Sequence, residues 1–216
     1  MILQTFNLTK TYDSGGGIFG IDLEIKKGDF ILLRGANGAG KSTLIRLLSL
    51  FEQPDQGSIQ LDKMNTDRLR IKDFPKWRKR LGVIPQDLKL LNNRTVFQNI
   101  LIGQRGGGLN RRKSKQLALK ILAQVGLSHR LGEIVGNLSG GEARRTSIAR
   151  ALCGEPFILL ADEPMGDLDP ETALSIMKLF EKINSLGTAI LMVTHRQDII
   201  PGVKHKYIEM ANGRFV

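Results

Sequence analysis

Only one cysteine, Cys153, occurs among the 216 residues, so no intramolecular disulfide framework holds this chain together. That usage fits a reducing compartment. Cys153 itself lies in a helix-like apolar pattern, where a small buried residue is expected rather than a reactive thiol. Long hydrophobic runs are missing too. The longest, around Phe157–Ala161 and Ala189–Val193, have strand length and fall far short of the roughly 18 residues that span a bilayer. The first residues, Met1-Ile2-Leu3-Gln4-Thr5-Phe6-Asn7, carry neither a charged start nor an extended apolar stretch, so no signal peptide is expected there. Acidic residues are scarce, 21 against 32 Lys and Arg, which leaves a formal charge of +11. Such a surplus suits an anionic partner, whether nucleotide, nucleic acid or an acidic membrane face, without choosing among them. Two basic clusters stand out, Arg68 to Arg80 and Arg111-Arg112-Lys113-Ser114-Lys115. Neither is expected to carry the exposed, interleaved aromatics on which single-strand binders stack bases, and each reads as a solvated face or a partner surface. No internal repeat or low-complexity tract is present, and the length fits one large domain or two small ones.

What is present is a phosphate-binding loop. Residues Gly35-Ala36-Asn37-Gly38-Ala39-Gly40-Lys41-Ser42, followed by Thr43, sit between the apolar run Phe30-Ile31-Leu32-Leu33 and a helical repeat of Leu44, Ile45, Leu47, Leu48 and Phe51. Strand, loop and helix in that order turn a pattern match into a site. The glycines let successive N–H groups point at phosphate oxygens, and the new helix adds the positive end of its dipole. Lys41 can reach the β- and γ-phosphates, and the Ser42 hydroxyl can ligate Mg²⁺. These residues predict binding of a nucleoside triphosphate.

A second apolar run, Phe157-Ile158-Leu159-Leu160-Ala161, ends in Asp162 and Glu163. A phosphate-loop enzyme needs an acid at such a strand end to hold Mg²⁺, which suits Asp162, while Glu163 could polarise an attacking water. Farther back, Leu138-Ser139-Gly140-Gly141-Glu142 precedes a helix pattern through Ile148, Ala149 and Leu152. It is either a loop with a serine N-cap or a second anion site. One nucleotide does not obviously need two such loops, and a resolution is that the second serves a nucleotide bound by another subunit.

The organisation is α/β. Strands are expected at Ile2–Phe6 and Ile21–Ile25, antiparallel across the Asp13–Gly17 turn, then at Phe30–Leu33, Gly57–Leu61, Leu81–Ile84, Phe157–Ala161 and Thr188–Val193. Helices are expected at Lys115–Val125, with Leu117, Ala118, Ile121, Leu122 and Val125 on one face, and from Pro170 to about Leu186. The basic start of the former opposes the helix dipole and marks a candidate partner surface. Asn212-Gly213 predicts a closing hairpin. Residues 1–85 and 153–216 are expected to form the β-rich core and 86–152 a helical insertion within a single domain.

The set Gly35–Ser42, Gln86, Leu138–Glu142, Leu160–Glu163, Asp169 and His195 resembles the nucleotide-binding domains of ATP-binding-cassette (ABC) proteins over essentially the whole chain. Leu-Ser-Gly-Gly-Glu is that family's diagnostic signature. The resemblance implies a P-loop ATPase that pairs head to tail as a homodimer around two ATP molecules with Mg²⁺. Ser139, Gly140 and Gly141 would meet the γ-phosphate held by the opposite subunit's Lys41. Asp169 would communicate across the dimer, His195 would contact the γ-phosphate, and Tyr12 would stack on adenine, although alone it reads as a strand-end packing residue. Gln86 would join Mg²⁺ and the attacking water to the membrane-partner interface. Pro85, Met165 and Arg196 depart from common family residues and bear on coupling rather than hydrolysis.

Within the family, Trp77–Asp87 and Leu90–Asn99 are most similar to the cell-division branch, with ATPases of the LolD and MacB type, for lipoprotein release and efflux, as the alternative. The former implies an FtsX-like permease as integral membrane partner, control of peptidoglycan hydrolases, and a peripheral place on the cytoplasmic face of the bacterial inner membrane. A soluble cassette ATPase acting on nucleic acid or ribosomes, which the charge of +11 would permit, is the less favoured alternative. Such relatives usually carry paired cassettes or long insertions and this sequence has neither, so no nucleic-acid partner is expected.

Overall fold

In the computed structural model, residues 2–13, 15–62, 64–66, 69, 73–103, 111–195 and 205–216 are described. Arg196, Ser14 of the Asp13–Gly17 turn, and Arg68, Arg70 and Lys72 of the first basic cluster lie outside them.

Two sheets share the chain. Strands β1 (Leu3–Thr11), β2 (Gly17–Ile25), β4 (Gln56–Leu61) and β5 (Met64–Asn65) form an antiparallel sheet in the order β2-β1-β4-β5. The second sheet runs β10-β9-β3-β8-β7-β6, from β10 (Arg214–Phe215) and β9 (Lys206–Ala211) through β3 (Phe30–Arg34), β8 (Ala189–Val193) and β7 (Ile158–Asp162) to β6 (Leu81–Ile84). All its pairings are parallel except the terminal β9–β10 hairpin. That hairpin turns through Asn212 and Gly213, whose φ values of 47° and 75° are those an Asn-Gly turn of this kind requires.

The central strands are apolar up to their last residues, Arg34 of β3 and Asp162 of β7, because both faces are covered. Ile31, Leu33, Ile158, Leu160, Leu191 and Val193 pack toward helix α1 (Lys41–Leu48) and the antiparallel sheet. Their neighbours Phe30, Leu32, Leu159, Ala161, Ile190 and Met192 pack in a second core with α5 (Gly140–Leu152) and α6 (Pro170–Ser185). Between β6 and β7 the chain adds α3 (Val96–Gly103), α4 (Arg111–Gln124) and α5. Helix α4 buries Ala118, Ile121 and Leu122, as its spacing predicts, with Leu117 half-buried and Val125 buried just past its end. Short α2 (Phe74–Arg78) precedes β6, and Cys153 is buried behind α5.

One expectation needs correction. Phe51 is not on α1, which stops at Leu48; Leu50 takes φ 59° and Phe51 is left 62% exposed. Long-range contact overrides the periodicity there, because Arg78 Nε and Nη2 donate to the Leu50 carbonyl at 3.0 and 2.6 Å. At the end of the first basic cluster Arg78 lies over Phe51 at 4.9 Å and Arg80 over Phe157 and Trp77 at 5.1 and 5.6 Å, while Arg80 itself stays exposed.

Phe180 of α6 is fully buried in the helical-side core. Phe180→Ala is expected to cost about 3–5 kcal/mol of unfolding free energy. Urea titration would show a lower midpoint at unchanged slope. A cost under about 1 kcal/mol would show that α6 does not anchor that core.

Candidate nucleotide site

The loop between β3 and α1 is shaped by a close approach of backbone. Gly35 has φ 147°, and a Cβ there would stand 2.1 Å from the Met210 carbonyl oxygen on β9. The terminal hairpin also bonds the loop directly, through Gly213 N–H to the Ala39 carbonyl at 3.1 Å. Ala39 is accordingly buried, while Ala36, Asn37 and Gly38 are exposed. Lys41 opens α1 and is only 6% exposed. Its Nζ folds back to donate to the carbonyls of Gly35 at 2.7 Å and Ala36 at 2.8 Å.

Above this loop lies a cavity of about 600 Å³, of the size that takes a nucleotide. Asn37, Gly38, Gly40, Lys41, Ser42 and Thr43 form its floor. Gln86, Asp162, Glu163 and His195 reach it from the ends of β6, β7 and β8, and Tyr12 closes the far side. Gly15 to Gly17, Arg46 and Asp167 also line it, and sequence reasoning did not single them out. The only signal for Arg46 was its place one turn beyond Ser42 on the same helix. The triple glycine was visible solely as a turn.

Tyr12 follows β1 and is half-buried. Its hydroxyl donates to Glu52 Oε2 at 2.8 Å, and the Arg46 guanidinium lies 5.8 Å from the ring centroid and 3.4 Å from the same carboxylate. The ring is thereby fixed at the cavity edge with a face that can take a base.

The acids at the end of β7 differ. Asp162 is half-buried at the strand terminus, whereas Glu163 takes φ 45° and turns into a pocket where it is 9% exposed. Glu163 Oε2 accepts from the His195 backbone N–H at 3.3 Å. Oε1 stands 3.0 Å from His195 Nε2 but has no partner in hydrogen-bond geometry, so one buried carboxylate oxygen is unsatisfied. Burial pushes the Glu163 carboxyl above its ordinary 4.5, and the opposing pull of His195 and Lys41 does not cancel it. A carboxylate so placed can take a proton from water.

Ser42, Asp162 and Gln86 offer the hard oxygen donors that suit Mg²⁺. Among the described residues no cluster of three or more His, Cys, Asp or Glu could hold a metal alone.

Ser139, Gly141 and Asp169 do not line this cavity. Gly140 lines a neighbouring groove that shares Gln86 and Asp167 with it. Ser139 is the N-cap of α5: its Oγ accepts from Glu142 N–H at 3.3 Å, and Glu142 Oε2 accepts from Ser139 N–H at 3.0 Å. That bond, with the Arg130 guanidinium 2.7 Å from Oε1, holds Glu142 below the usual carboxylate range. Asp169 caps α6 by accepting from Thr172 N–H at 2.9 Å, which lowers its pKa. The two helix starts abut, since a Cβ on Gly141 would stand 2.6 Å from Thr172 Cγ2. Ser139 and Gly140 remain exposed, so the serine cap and an outward-facing helix terminus exist together.

Comparison with known proteins agrees with this construction. The ABC transporter family model matches residues 18–166, more than half of the chain. The cell division ATP-binding protein FtsE of Streptococcus pneumoniae is 40% identical over 216 residues, covering 100% of this chain and 94% of its own. Methionine import ATP-binding protein MetN 2 of Bacillus cereus is 36% identical over 97% of this chain and 63% of its own. A dimeric, post-hydrolysis structure of the ATP-binding cassette MJ0796 with ADP and phosphate superposes with a TM-score of 0.86 at 29% identity. It covers 99% of this chain and 96% of that one. The chain belongs to the ABC transporter family and is an ATP-binding, ATP-hydrolysing cassette of that family.

Proposed function

We propose that this cassette works as a head-to-tail homodimer on the cytoplasmic face of the bacterial inner membrane. There it drives an FtsX-like permease in cell division and the control of peptidoglycan hydrolases. The observation that carries the dimer is the helix start at Ser139–Gly141, with Ser139 and Gly140 exposed, a terminus suited to an anion and outside the chain's own nucleotide cavity. The full-length similarity to FtsE proteins supports the division role. Among the described residues no helix is long and apolar enough to cross a membrane, so attachment through a partner is the reading adopted.

In this reading the triphosphate lies along the loop from Gly35 to Thr43, and Tyr12 stacks on the base. Lys41 exchanges its two loop carbonyls for phosphate oxygens. Mg²⁺, held by Ser42, Asp162 and Gln86 together with the phosphates, would neutralise charge there. Glu163 takes a proton as water oxygen bonds to the γ-phosphorus. The bond from that phosphorus to the β–γ bridging oxygen breaks, leaving ADP and phosphate. His195 steadies the γ-phosphate, and the partner's Ser139, Gly140 and Gly141 close over it. Asp169 transmits closure between subunits, and the helical insertion of residues 86–152 carries it to the permease near Gln86.

Glu163→Gln is expected to keep ATP affinity, lower turnover by about 10²- to 10⁴-fold and trap an ATP-bound dimer on size exclusion. Turnover at the wild-type rate would remove Glu163 from the base role. Because burial raises the Glu163 pKa in the nucleotide-free chain, the base is lost as pH falls through a value above 4.5, and the acid limb of kcat/KM should lie above that ordinary value. A limb at or below 4.5 would contradict the assignment.

A further inference from the structure

Helix α5 carries three arginines, none of which hydrogen-bonds a carboxylate among the described residues. Arg145 donates to the Val125 carbonyl and Ser175 Oγ, and the other two reach the segment after β6. Arg144 is 4% exposed, and its Nη1 donates to the carbonyls of Pro85 and Gln86, both at 3.3 Å. Its Nε is buried without a hydrogen-bond partner. Two turns later, half-buried Arg150 donates from Nη1 to the Lys89 carbonyl and from Nη2 to the Leu88 carbonyl, each at 2.6 Å. The segment from Pro85 to Lys89 thus gives four of its carbonyls to guanidiniums of a single helix. It has no regular secondary structure, and Lys89 adopts φ 50°, so these bonds supply the fixing that a ladder would otherwise provide.

Fixing a loop this way is costly at Arg144. A buried guanidinium with an unmade donor pays desolvation that two 3.3 Å bonds to neutral carbonyls only partly offset. Burial lowers its affinity for the proton, though nearby Asp167 favours the charge. A neutral side chain would escape that desolvation at the loss of two long bonds. The charge therefore points to use rather than to stability.

We infer that Arg144, backed by Arg150, is a positioning residue for ATP hydrolysis, locking the backbone of Gln86 to the helix that begins at Ser139–Gly141. Gln86 lines the nucleotide cavity, whereas Arg144 and Arg150 do not. The inference rests on the proposed part of Gln86 in orienting water and Mg²⁺. Its consequence is mechanical. Helix α5 is one rigid rod of 13 residues, so a phosphate seated on its first turn by the other subunit shifts Gln86 with it. The nucleotide held in trans thereby sets the geometry around the nucleotide held in cis.

The test combines binding of a fluorescent ATP analogue, steady-state turnover and thermal melting for Arg144→Gln, Arg144→Lys, Gln86→Ala and the Arg144→Gln/Gln86→Ala double variant. Glutamine ends two atoms short of the carbonyls, while the lysine ammonium still approaches them. Arg144→Gln should bind nucleotide and melt like the wild type but turn over roughly tenfold slower. Arg144→Lys should recover most of that loss. In the Gln86→Ala background, Arg144→Gln should cost nothing more. Parallel loss of melting temperature, affinity and rate would make Arg144 merely structural, and multiplying effects in the double variant would break its link to Gln86. Both results overturn the inference while leaving the Gln86 reading standing. An unchanged rate for Gln86→Ala alone would instead remove the Gln86 reading, and the positioning role with it. Should Arg144→Gln fail to fold, Arg150→Gln takes its place with the same expected split and the same overturning results.

Discussion

Parallel hydrogen bonding across three strands governs this molecule. Leu33 of β3 pairs with Val193 of β8, and Val193 pairs in turn with Asp162 of β7. That single row puts the three strand ends level at one edge of the sheet. The phosphate loop starts two residues beyond Leu33, His195 stands two beyond Val193, and Glu163 follows Asp162 directly. Slipping any pairing by one residue would exchange the side chains packed in the two cores and displace a reacting group by one strand step, about 3.3 Å. Close packing of differently shaped side chains in those cores resists the slip.

Within that frame the polar site is left under tension. Lys41 spends its donors on two carbonyls of its own loop, Glu163 keeps a buried oxygen without a hydrogen bond, and Arg144 keeps a buried donor without one. Each is a small cost that the apolar cores beside it absorb. In the proposed mechanism two of the three would change state when a triphosphate arrives, Lys41 gaining phosphate oxygens and Glu163 a water. The folded chain is thus organised for a ligand it must bind rather than for its own greatest stability.

Local chemistry was legible in the sequence, and long-range contact was not. The phosphate loop, the Asp162–Glu163 strand end and the Asn212-Gly213 turn are contiguous, so spacing alone announced them. Their strands appeared within a residue or two of the expected ends. Phe51 followed helical spacing, yet the chain leaves the helix at Leu50 because Arg78, far along the chain, holds that carbonyl. Arg46, Glu52 and the Gly15–Gly17 turn carry no motif, and only the fold gathers them beside Tyr12 and the phosphate loop. Ser139 and Asp169 are instructive in another way. Both are ordinary helix caps, and capping is also what presents a helix start to a charge outside the chain.

The central claim is that the active site is divided between two copies of this chain. Mixing purified Lys41→Ala and Ser139→Arg proteins tests it most directly. Each variant should be inactive alone, because one cannot grip the triphosphate and the other cannot close over it. In a mixed dimer one composite site combines the intact Lys41 of one copy with the intact Ser139 of the other. ATPase activity should therefore return on mixing and peak at equal proportions. No activity at any ratio, with mixed dimers demonstrated by cross-linking, would contradict the head-to-tail account.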